Sequence, residues 1–259
     1  VQSSFAEAGY STLVFATENK VSREREILLK LLDKAVSAIL VEGSKTALPT
    51  PNSDLYELLK AKRIPVLFLH GIYSNLQGFP CLLDDNFAGG YQLGQYLLNA
   101  GHSRIAGIFK SDDIQGPQRY HGLICALRDG QAAIPDDSFF WYDSQDRAAL
   151  LSSPRCELLD GFIRHRLGRS TAVVCYNDQV AYPLLDLLMA KHIAVPEQMA
   201  EVSFDNSYFS NFSSRRITSL SHGEHNVGRI AAETLMRIFE GKEVQSQQVP
   251  WDLVEKESS

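Results

Sequence analysis

Thr171-Ala172-Val173-Val174-Cys175-Tyr176-Asn177-Asp178 is an apolar run that ends in two polar residues. The apolar part is too short for a helix, and an unbroken run of this kind indicates a parallel strand buried on both faces. Helical periodicity follows at once, from about Asp178 to Lys191. A strand followed directly by a helix is the repeating unit of an α/β fold.

The same alternation extends from this stretch in both directions. Other short apolar runs lie at 13–16, 38–41, 65–69, 105–109, 139–142, 202–204 and 249–254, and amphipathic helices are predicted between them. The halves before and after about Lys110 contain similar numbers of strand–helix units. The pattern predicts an α/β chain with two doubly wound parallel-sheet lobes and a ligand cleft between them.

Composition excludes several classes of protein. The 259 residues include 25 Lys+Arg and 31 Asp+Glu, for a net charge of −6. A domain that binds nucleic acid by itself is expected to be basic, so this chain is predicted not to. Four cysteines without a Cys-x-x-Cys pair indicate free thiols in a reducing compartment.

Targeting and membrane signals are also missing from the sequence. No apolar stretch approaches the ~18 residues of a membrane span, and no basic-then-apolar signal opens the chain. We therefore expect a soluble, cytoplasmic protein with no membrane partner. The chain starts at Val1 without a Met, which suggests a piece of a longer protein.

Enzymatic signatures are weak. The Gly-x-Gly-x-x-Gly, P-loop and Gly-x-Ser-x-Gly motifs are absent, and we predict no catalytic residue, metal or cofactor. The segment His222-Gly223-Glu224-His225 has two imidazoles beside a carboxylate, but its glycine and its position at a helix start disfavour a metal site. Asp112 and Asp113 follow a strand, where Asp113 is a ligand candidate and helix capping is the alternative. An α/β hydrolase-like enzyme that uses these groups stays open as a third interpretation.

Polar residues at strand ends and helix starts favour ligand binding. Arg119, Asn177, Asp205 and His222 each occupy such a position. Because a sugar hydroxyl both donates and accepts, its recognition needs donors such as Arg together with acceptors such as Asp. Trp141 is a candidate to cover the C–H face of a sugar ring, with core packing as the alternative. Asn177 is equally well explained as a helix N-cap.

Seven short motifs recur in a definite order: 23–26 (RERE), 85–90 (DNFAGG), 101–106 (GHSRIA), 176–181 (YNDQVA), 195–197 (VPE), 204–206 (FDN) and 217–220 (ITSL). In this order and spacing they resemble the effector-binding domain of LacI/GalR-type bacterial repressors, which has the periplasmic sugar-binding-protein fold. Three further stretches, 41–52, 107–116 and 174–178, are similar to the arabinose-responsive repressors, which join a GntR-type winged-helix domain to a LacI-type sensor. The resemblance covers nearly the whole chain.

The resemblance implies specific ligand contacts. The ligand-contacting arginine, asparagine and aspartate of the family fall on Arg119, Asn177 and Asp205. The polar residue at the second crossover between the lobes falls on His222. Lys45 and Tyr73 follow strands of the first lobe and are further candidates.

The resemblance also implies an organisation and a function. The first lobe is expected at 1–109 plus 223–241, without the usual first strand, and the second at 112–220 plus 245–259, with crossovers near 109–111, 221–222 and 241–245. The implied function is a homodimeric sugar sensor, for a pentose such as L-arabinose, that controls operator DNA binding by an N-terminal domain absent from this chain. The alternative is a periplasmic sugar-binding protein of an uptake system, which the sequence before Val1 would distinguish.

Overall fold

The computed structural model describes residues 2–151 and 156–259. Its strands are β1 (Ile39–Glu42), β2 (Val66–Leu69), β3 (Cys81–Asp84), β4 (Ile105–Lys110), β5 (Phe139–Tyr142), β6 (Ala172–Cys175), β7 (Ala200–Phe204), β8 (Thr218–Ser221), β9 (Gln247–Val249) and β10 (Asp252–Val254). Its α-helices are α1 (Gln2–Glu7), α2 (Val21–Leu32), α3 (Ser53–Ala61), α4 (Asn86–Asn99), α5 (Gln115–Asp129), α6 (Arg147–Leu150), α7 (Glu157–Phe162), α8 (Asp178–Ala190), α9 (Tyr208–Phe212) and α10 (Val227–Phe239). A 3-10 turn covers Asp136–Ser138, and a π-helical turn covers Ile163–Leu167.

The chain divides into two compact units. The first unit consists of Val1–Asp84, Asp112–Gln115 and Glu224–Val249. Its sheet has the order β1-β2-β3-β9, and all of its strands are parallel. The second unit consists of Asp85–Ser111, Gly116–Gly223 and Pro250–Ser259. Its sheet has the order β10-β8-β7-β6-β4-β5, in which β10 alone is antiparallel to its neighbour.

Strands at the centre of each sheet are buried on both faces, as the apolar runs predicted. In β6, Val173 and Cys175 belong to one hydrophobic cluster of the second unit, while Ala172 and Val174 belong to another. Successive side chains of a strand point to opposite faces, so two packed faces require an unbroken apolar run. The predicted fold class, an α/β chain with two mainly parallel sheets, is therefore confirmed.

The first crossover lies earlier than the predicted 109–111. Strand β4 pairs with both β5 and β6, which places it in the second sheet rather than at the end of a first lobe 1–109. The boundary accordingly falls between Asp84 and Asp85. After β4 the short segment Asp112–Gln115 returns to the first unit, where the Asp112 carbonyl accepts a hydrogen bond from the Ala47 amide.

The predicted late strand at 249–254 is in fact two strands of different sheets. Strand β9 pairs with β3 in the first unit, and β10 pairs with β8 in the second. Pro250, which has no N–H to donate to a ladder, stands between them. The third crossover is therefore at Val249–Pro250 and not at 241–245, whereas the second, at Gly223–Glu224, lies beside the predicted 221–222.

Two further differences concern the first unit. The apolar run at 13–16 is not a strand, and Leu13 and Val14 are 66% and 73% exposed. Conversely, β3 was not among the predicted strands, because Cys81-Leu82-Leu83 is a very short apolar run. No helix in the described part of the chain is long and apolar enough to cross a membrane, and all four cysteines are free thiols.

Candidate functional site

Arg119 is the centre of a polar cluster in the second unit. Its side chain is buried, and its Nε donates to Asn86 Oδ1 at 2.9 Å. Its Nη1 donates to the Tyr176 carbonyl at 2.5 Å, and its Nη2 lies 3.6 Å from Asp205 Oδ1. A buried guanidinium is stable only when its charge is compensated, and here Asp205 supplies the compensating charge while Asn86 and the Tyr176 carbonyl accept two of its hydrogen bonds.

Three aromatic rings surround the same guanidinium. The Cζ atom of Arg119 lies 5.0 Å from the Tyr176 ring centroid, 4.2 Å from that of Phe204 and 5.4 Å from that of Trp251. Aromatic faces attract a cation and restrict its motion. The fork of Arg119 is thus held in one orientation before any ligand arrives.

Helix packing explains how α5 brings Arg119 so deep. A Cβ added to Gly90 of α4 would lie 2.0 Å from the Arg119 carbonyl oxygen, and one added to Gly122 would lie 2.0 Å from the Phe87 carbonyl oxygen. Only glycine permits backbones to approach this closely. The α4–α5 contact therefore depends on both glycines and sets the depth of Arg119.

Asn177 and Asp205 follow neighbouring parallel strands of the second sheet. Asn177 caps α8, with its Oδ1 accepting from the Val180 amide at 3.3 Å, so the capping alternative is realised. The cap uses only the carbonyl oxygen of the side chain. Asp205, with φ of 91°, and Asn206, with φ of 43°, form a left-handed turn after β7. Such backbone is costly outside glycine and is held in place by its surroundings.

Asp178 holds that turn. Its carboxylate accepts from the Ser207 amide at 2.5 Å and from Ser219 Oγ at 2.7 Å, and Ser219 Oγ accepts in turn from the Asn206 amide at 3.0 Å. Burial raises the pKa of Asp178, while the hydrogen bonds from Ser207 and Ser219 oppose that shift. Asp178 therefore fixes the position of Asp205, although Asp178 is not itself a predicted ligand contact.

His222 is anchored against the indole of Trp251. Its Nδ1 lies 2.9 Å from the Pro250 carbonyl oxygen, which can only accept, so Nδ1 carries the hydrogen. Trp141, by contrast, packs with Phe109 and Tyr120 at centroid distances of 5.6 and 5.0 Å, which is the packing alternative raised for it. Its contact with a sugar ring stays a prediction.

The first unit contains a second polar cluster. Lys45 follows β1, and its Nζ lies 3.4 Å from Asp112 Oδ2. Asp113 Oδ1 accepts from Asn19 Nδ2 at 3.0 Å. Tyr73 is buried, with 1% of its surface exposed, and its hydroxyl is engaged inside the unit. Lys45 and Asp113, two of the predicted ligand contacts, both bond to Asn19. The third, Tyr73, packs against the loop that carries Lys45.

Sequence reasoning missed a histidine–carboxylate pair in the same unit. Asp84 accepts from His70 Nδ1 at 3.0 Å and from Gln115 Nε2 at 2.8 Å. His70 directly follows β2 and Asp84 ends β3, so the rule about polar residues at strand ends applies to both. The signal was lost because β3 was not recognised as a strand. Asn86, at the start of α4, was missed for the same reason.

No cluster of three or more potential metal ligands is found at residues 2–151 or 156–259. The arrangement instead offers guanidinium, amide, imidazole and carboxylate groups at the carboxyl ends of parallel strands. Such groups form directional hydrogen bonds to hydroxyls in both senses, as donors and as acceptors.

Comparison with known proteins shows the family of the chain. A model of the periplasmic binding protein-like domain matches residues 95–259. Two arabinose metabolism transcriptional repressors, from Halalkalibacterium halodurans and Geobacillus stearothermophilus, are 32% and 31% identical over 92% of this chain. The match covers 62% and 64% of their lengths, so the chain spans less than two thirds of these relatives. They are regulators of transcription rather than enzymes, as predicted for this chain.

A solved structure shows the same fold. The lac repressor dimer bound to operator and the anti-inducer ONPF superposes with a TM-score of 0.80 at 18% identity, over 100% of this chain and 74% of the repressor chain. At that identity the likeness establishes the fold alone.

Proposed function

We propose that this chain, which belongs to the periplasmic binding protein-like domain family and forms the effector-binding domain of a LacI-type regulator, senses a neutral pentose in the cytoplasm. The observation that carries the proposal is the buried Arg119, whose fork is already oriented by Asn86, the Tyr176 carbonyl and Asp205. An Arg–Asp pair offers a donor and an acceptor side by side, which suits adjacent sugar hydroxyls.

The charges favour a free sugar over a sugar phosphate. In the first-unit cluster, Lys45 is paired with Asp112, and Asp113 follows directly in the chain. In the second unit, Arg119 is paired with Asp205. Lys110, which ends β4, is buried and engaged as well. A phosphate with nearly two negative charges would have to compete with these partners for each cation, whereas a neutral sugar would not.

L-Arabinose is the pentose that the relatives support. Both repressors named for arabinose metabolism match over nearly the whole chain, and the stretches 41–52, 107–116 and 174–178 carry the resemblance to that group. We therefore assign L-arabinose as the effector and operator DNA as the target of a separate DNA-binding domain. A sugar that binds one conformation of the sensor more tightly than the other shifts the sensor toward that conformation. The resulting change in operator affinity is limited by the ratio of the two sugar affinities.

An exposed aromatic surface supports a homodimer. This aromatic surface comprises Tyr182, Met189, Tyr208, Phe209 and Phe212 of α8 and α9. Tyr208 and Phe212 stack at 4.4 Å and are 69% and 70% exposed. Clustered exposed aromatics mark interaction sites, and the commonest soluble assembly is a twofold dimer in which one surface pairs with its copy. We assign a second copy of this chain as the partner.

Isothermal titration calorimetry of the chain against a sugar panel tests the proposal. The panel contains L-arabinose, D-xylose, D-ribose, D-glucose and D-ribose 5-phosphate. We expect L-arabinose to bind most tightly and the phosphate not to bind. Tighter binding of the phosphate than of the free pentoses would refute the neutral class, and the absence of binding by every sugar would refute the sensor.

Operator binding tests the regulatory part of the proposal. In the longer protein, saturating L-arabinose is expected to lower operator affinity by roughly 5- to 150-fold, the usual range of allosteric coupling. D-Glucose serves as the control ligand. An operator affinity that L-arabinose leaves unchanged would separate sugar binding from regulation and overturn the second.

A further inference from the structure

Lys45 has a backbone conformation that other residues must maintain. Its φ of 55° lies in the left-handed region, which is unfavourable for a residue with a side chain. Its amide donates to Asn19 Oδ1 at 2.7 Å. The preceding residue, Ser44, is buried and is held through both its amide and its carbonyl. Strained positions of this kind persist only where the surroundings over-determine them.

Glu24 provides the main hold on this loop. It lies in the first turn of α2, is 3% exposed, and accepts from the Ser44 amide at 2.8 Å. It also accepts from the Tyr56 hydroxyl at 2.9 Å and from the Tyr73 hydroxyl at 2.6 Å. A buried carboxylate is expensive without partners, and these donors compensate its burial.

Tyr73 contacts the carbonyl of Ser44, whereas Glu24 contacts its amide. The Tyr73 hydroxyl lies 2.9 Å from the Ser44 carbonyl oxygen as well as 2.6 Å from Glu24 Oε2. A Cβ added to Gly43 would lie 2.9 Å from the Tyr73 ring, so the loop packs directly on this side chain. Burial and the neighbouring Glu24 both raise the pKa of Tyr73, which keeps its hydroxyl protonated as a donor.

We propose that Glu24 and Tyr73 are positioning residues that fix the Ser44–Thr46 loop and thereby aim Lys45. The inference rests on the proposed function for the role of Lys45 in sugar binding. It assigns to Tyr73 an indirect role in place of the ligand contact predicted from the sequence. It also gives a role to Glu24, which belongs to a motif that the sugar site did not otherwise use.

Tyr56 offers a matched control for Tyr73. Both side chains are buried, and both donate to Glu24, but Tyr56 reaches Oε1 while Tyr73 reaches Oε2 and the loop. Replacing either tyrosine with Phe removes one hydroxyl and keeps the ring. The two variants therefore lose similar stability, and only one of them loosens the loop.

Hydrogen exchange measured by NMR tests the anchor without any ligand. In Tyr73→Phe, the amides of Ser44, Lys45 and Ala47 are expected to exchange at least about three- to tenfold faster, the equivalent of one lost hydrogen bond. In Tyr56→Phe, once the loss of global stability is corrected for, these amides are expected to exchange at the same rate as in the unmodified chain. Equal protection of the loop in both variants would overturn the proposal.

Titration with L-arabinose tests the action through Lys45. Tyr73→Phe is expected to weaken binding about three- to tenfold, and Tyr56→Phe less than about twofold. In a Lys45→Met background, Tyr73→Phe is expected to have little further effect, because coupled residues are not additive. Additive losses would mean that Tyr73 does not act through Lys45. If the unmodified chain binds no sugar at all, the proposed function fails, whereas the exchange experiment still decides the anchor.

Discussion

Trp251 stacks on His222 with ring centroids 3.7 Å apart and 21° between the ring planes. The indole also lies 5.4 Å from the Arg119 guanidinium and packs against Gly89. It comes directly after the third crossover, since Pro250 is the first residue of the last segment of the second unit. One side chain thus links the crossover to two predicted ligand contacts.

Trp251 is expected to report sugar binding by its fluorescence. The chain has two tryptophans, and Trp141 lies in a separate aromatic group with Phe109 and Tyr120. A titration with L-arabinose should change the emission of the unmodified chain and of Trp141→Phe. The change should be lost in Trp251→Phe. A signal that disappears with Trp141 instead would place the ligand beside the other aromatic group.

Arg119→Lys is expected to weaken L-arabinose binding by at least about tenfold, because an ammonium cannot replace the planar, bidentate fork. Calorimetry measures the affinity, and thermal unfolding shows whether the fold is retained. Arg147→Lys is the control, since Arg147 is an exposed residue of the same unit that bonds Gln179. Unchanged affinity in Arg119→Lys would remove Arg119 from the site.

Gly90→Ala is expected to destabilise the chain by roughly 1–3 kcal/mol, because the new Cβ would collide with the Arg119 carbonyl oxygen. Gly161→Ala, in α7, meets no atom within 4 Å and should stabilise the chain by about 0.5–1 kcal/mol. Urea unfolding measures both changes. A neutral effect at Gly90 would show that α4 and α5 can separate without cost.

Glu201 is expected to make stability fall as pH rises. Its side chain is fully buried, and Oε2 has no hydrogen-bond partner among the described residues, so burial raises its pKa well above the ordinary value. The folded chain then binds the proton more tightly than the unfolded chain. Stability is therefore complete below the unfolded-state pKa of 4.5 and is lost as pH rises through the folded value.

Glu201→Gln should remove this loss, because the amide stays neutral at every pH in the range. Denaturant midpoints between pH 4 and 8 measure the effect. The slope should decrease rather than vanish, because burial also raises the pKa of Asp178. Parallel pH profiles for the variant and the unmodified chain would contradict the assignment.

The double variant Tyr208→Glu with Phe212→Glu is expected to be monomeric, because two carboxylates cannot be buried without partners in an apolar contact. Sedimentation equilibrium measures the mass. Leu48→Glu is the control, since Leu48 is 54% exposed and lies in the first unit. A dimer that survives the double variant would place the interface elsewhere.

The order of apolar runs and amphipathic helices was enough to predict the α/β class and most strands. Strand ends then identified Arg119, Asn177, Asp205 and His222 as candidates. The predicted crossovers left out the boundary between Asp84 and Asp85, and the one at 241–245 lies before the boundary at Val249–Pro250. The run at 105–109 would be apolar in either sheet. Its residues therefore do not predict that it pairs with β5 and β6.

The sequence alone therefore determined the local periodicity and the residue types at most strand ends. It could do so because a strand buried on both faces is an unbroken apolar run. Pairing between distant segments was decided only by the tertiary structure, because hydrogen-bonded ladders and side-chain networks depend on which chain segments meet. Only there does Tyr73 become the partner of Glu24, 49 residues away, and Trp251 the neighbour of His222. The surroundings of Arg119, which combine an amide, a carbonyl, a carboxylate and aromatic faces, are likewise a property of packing.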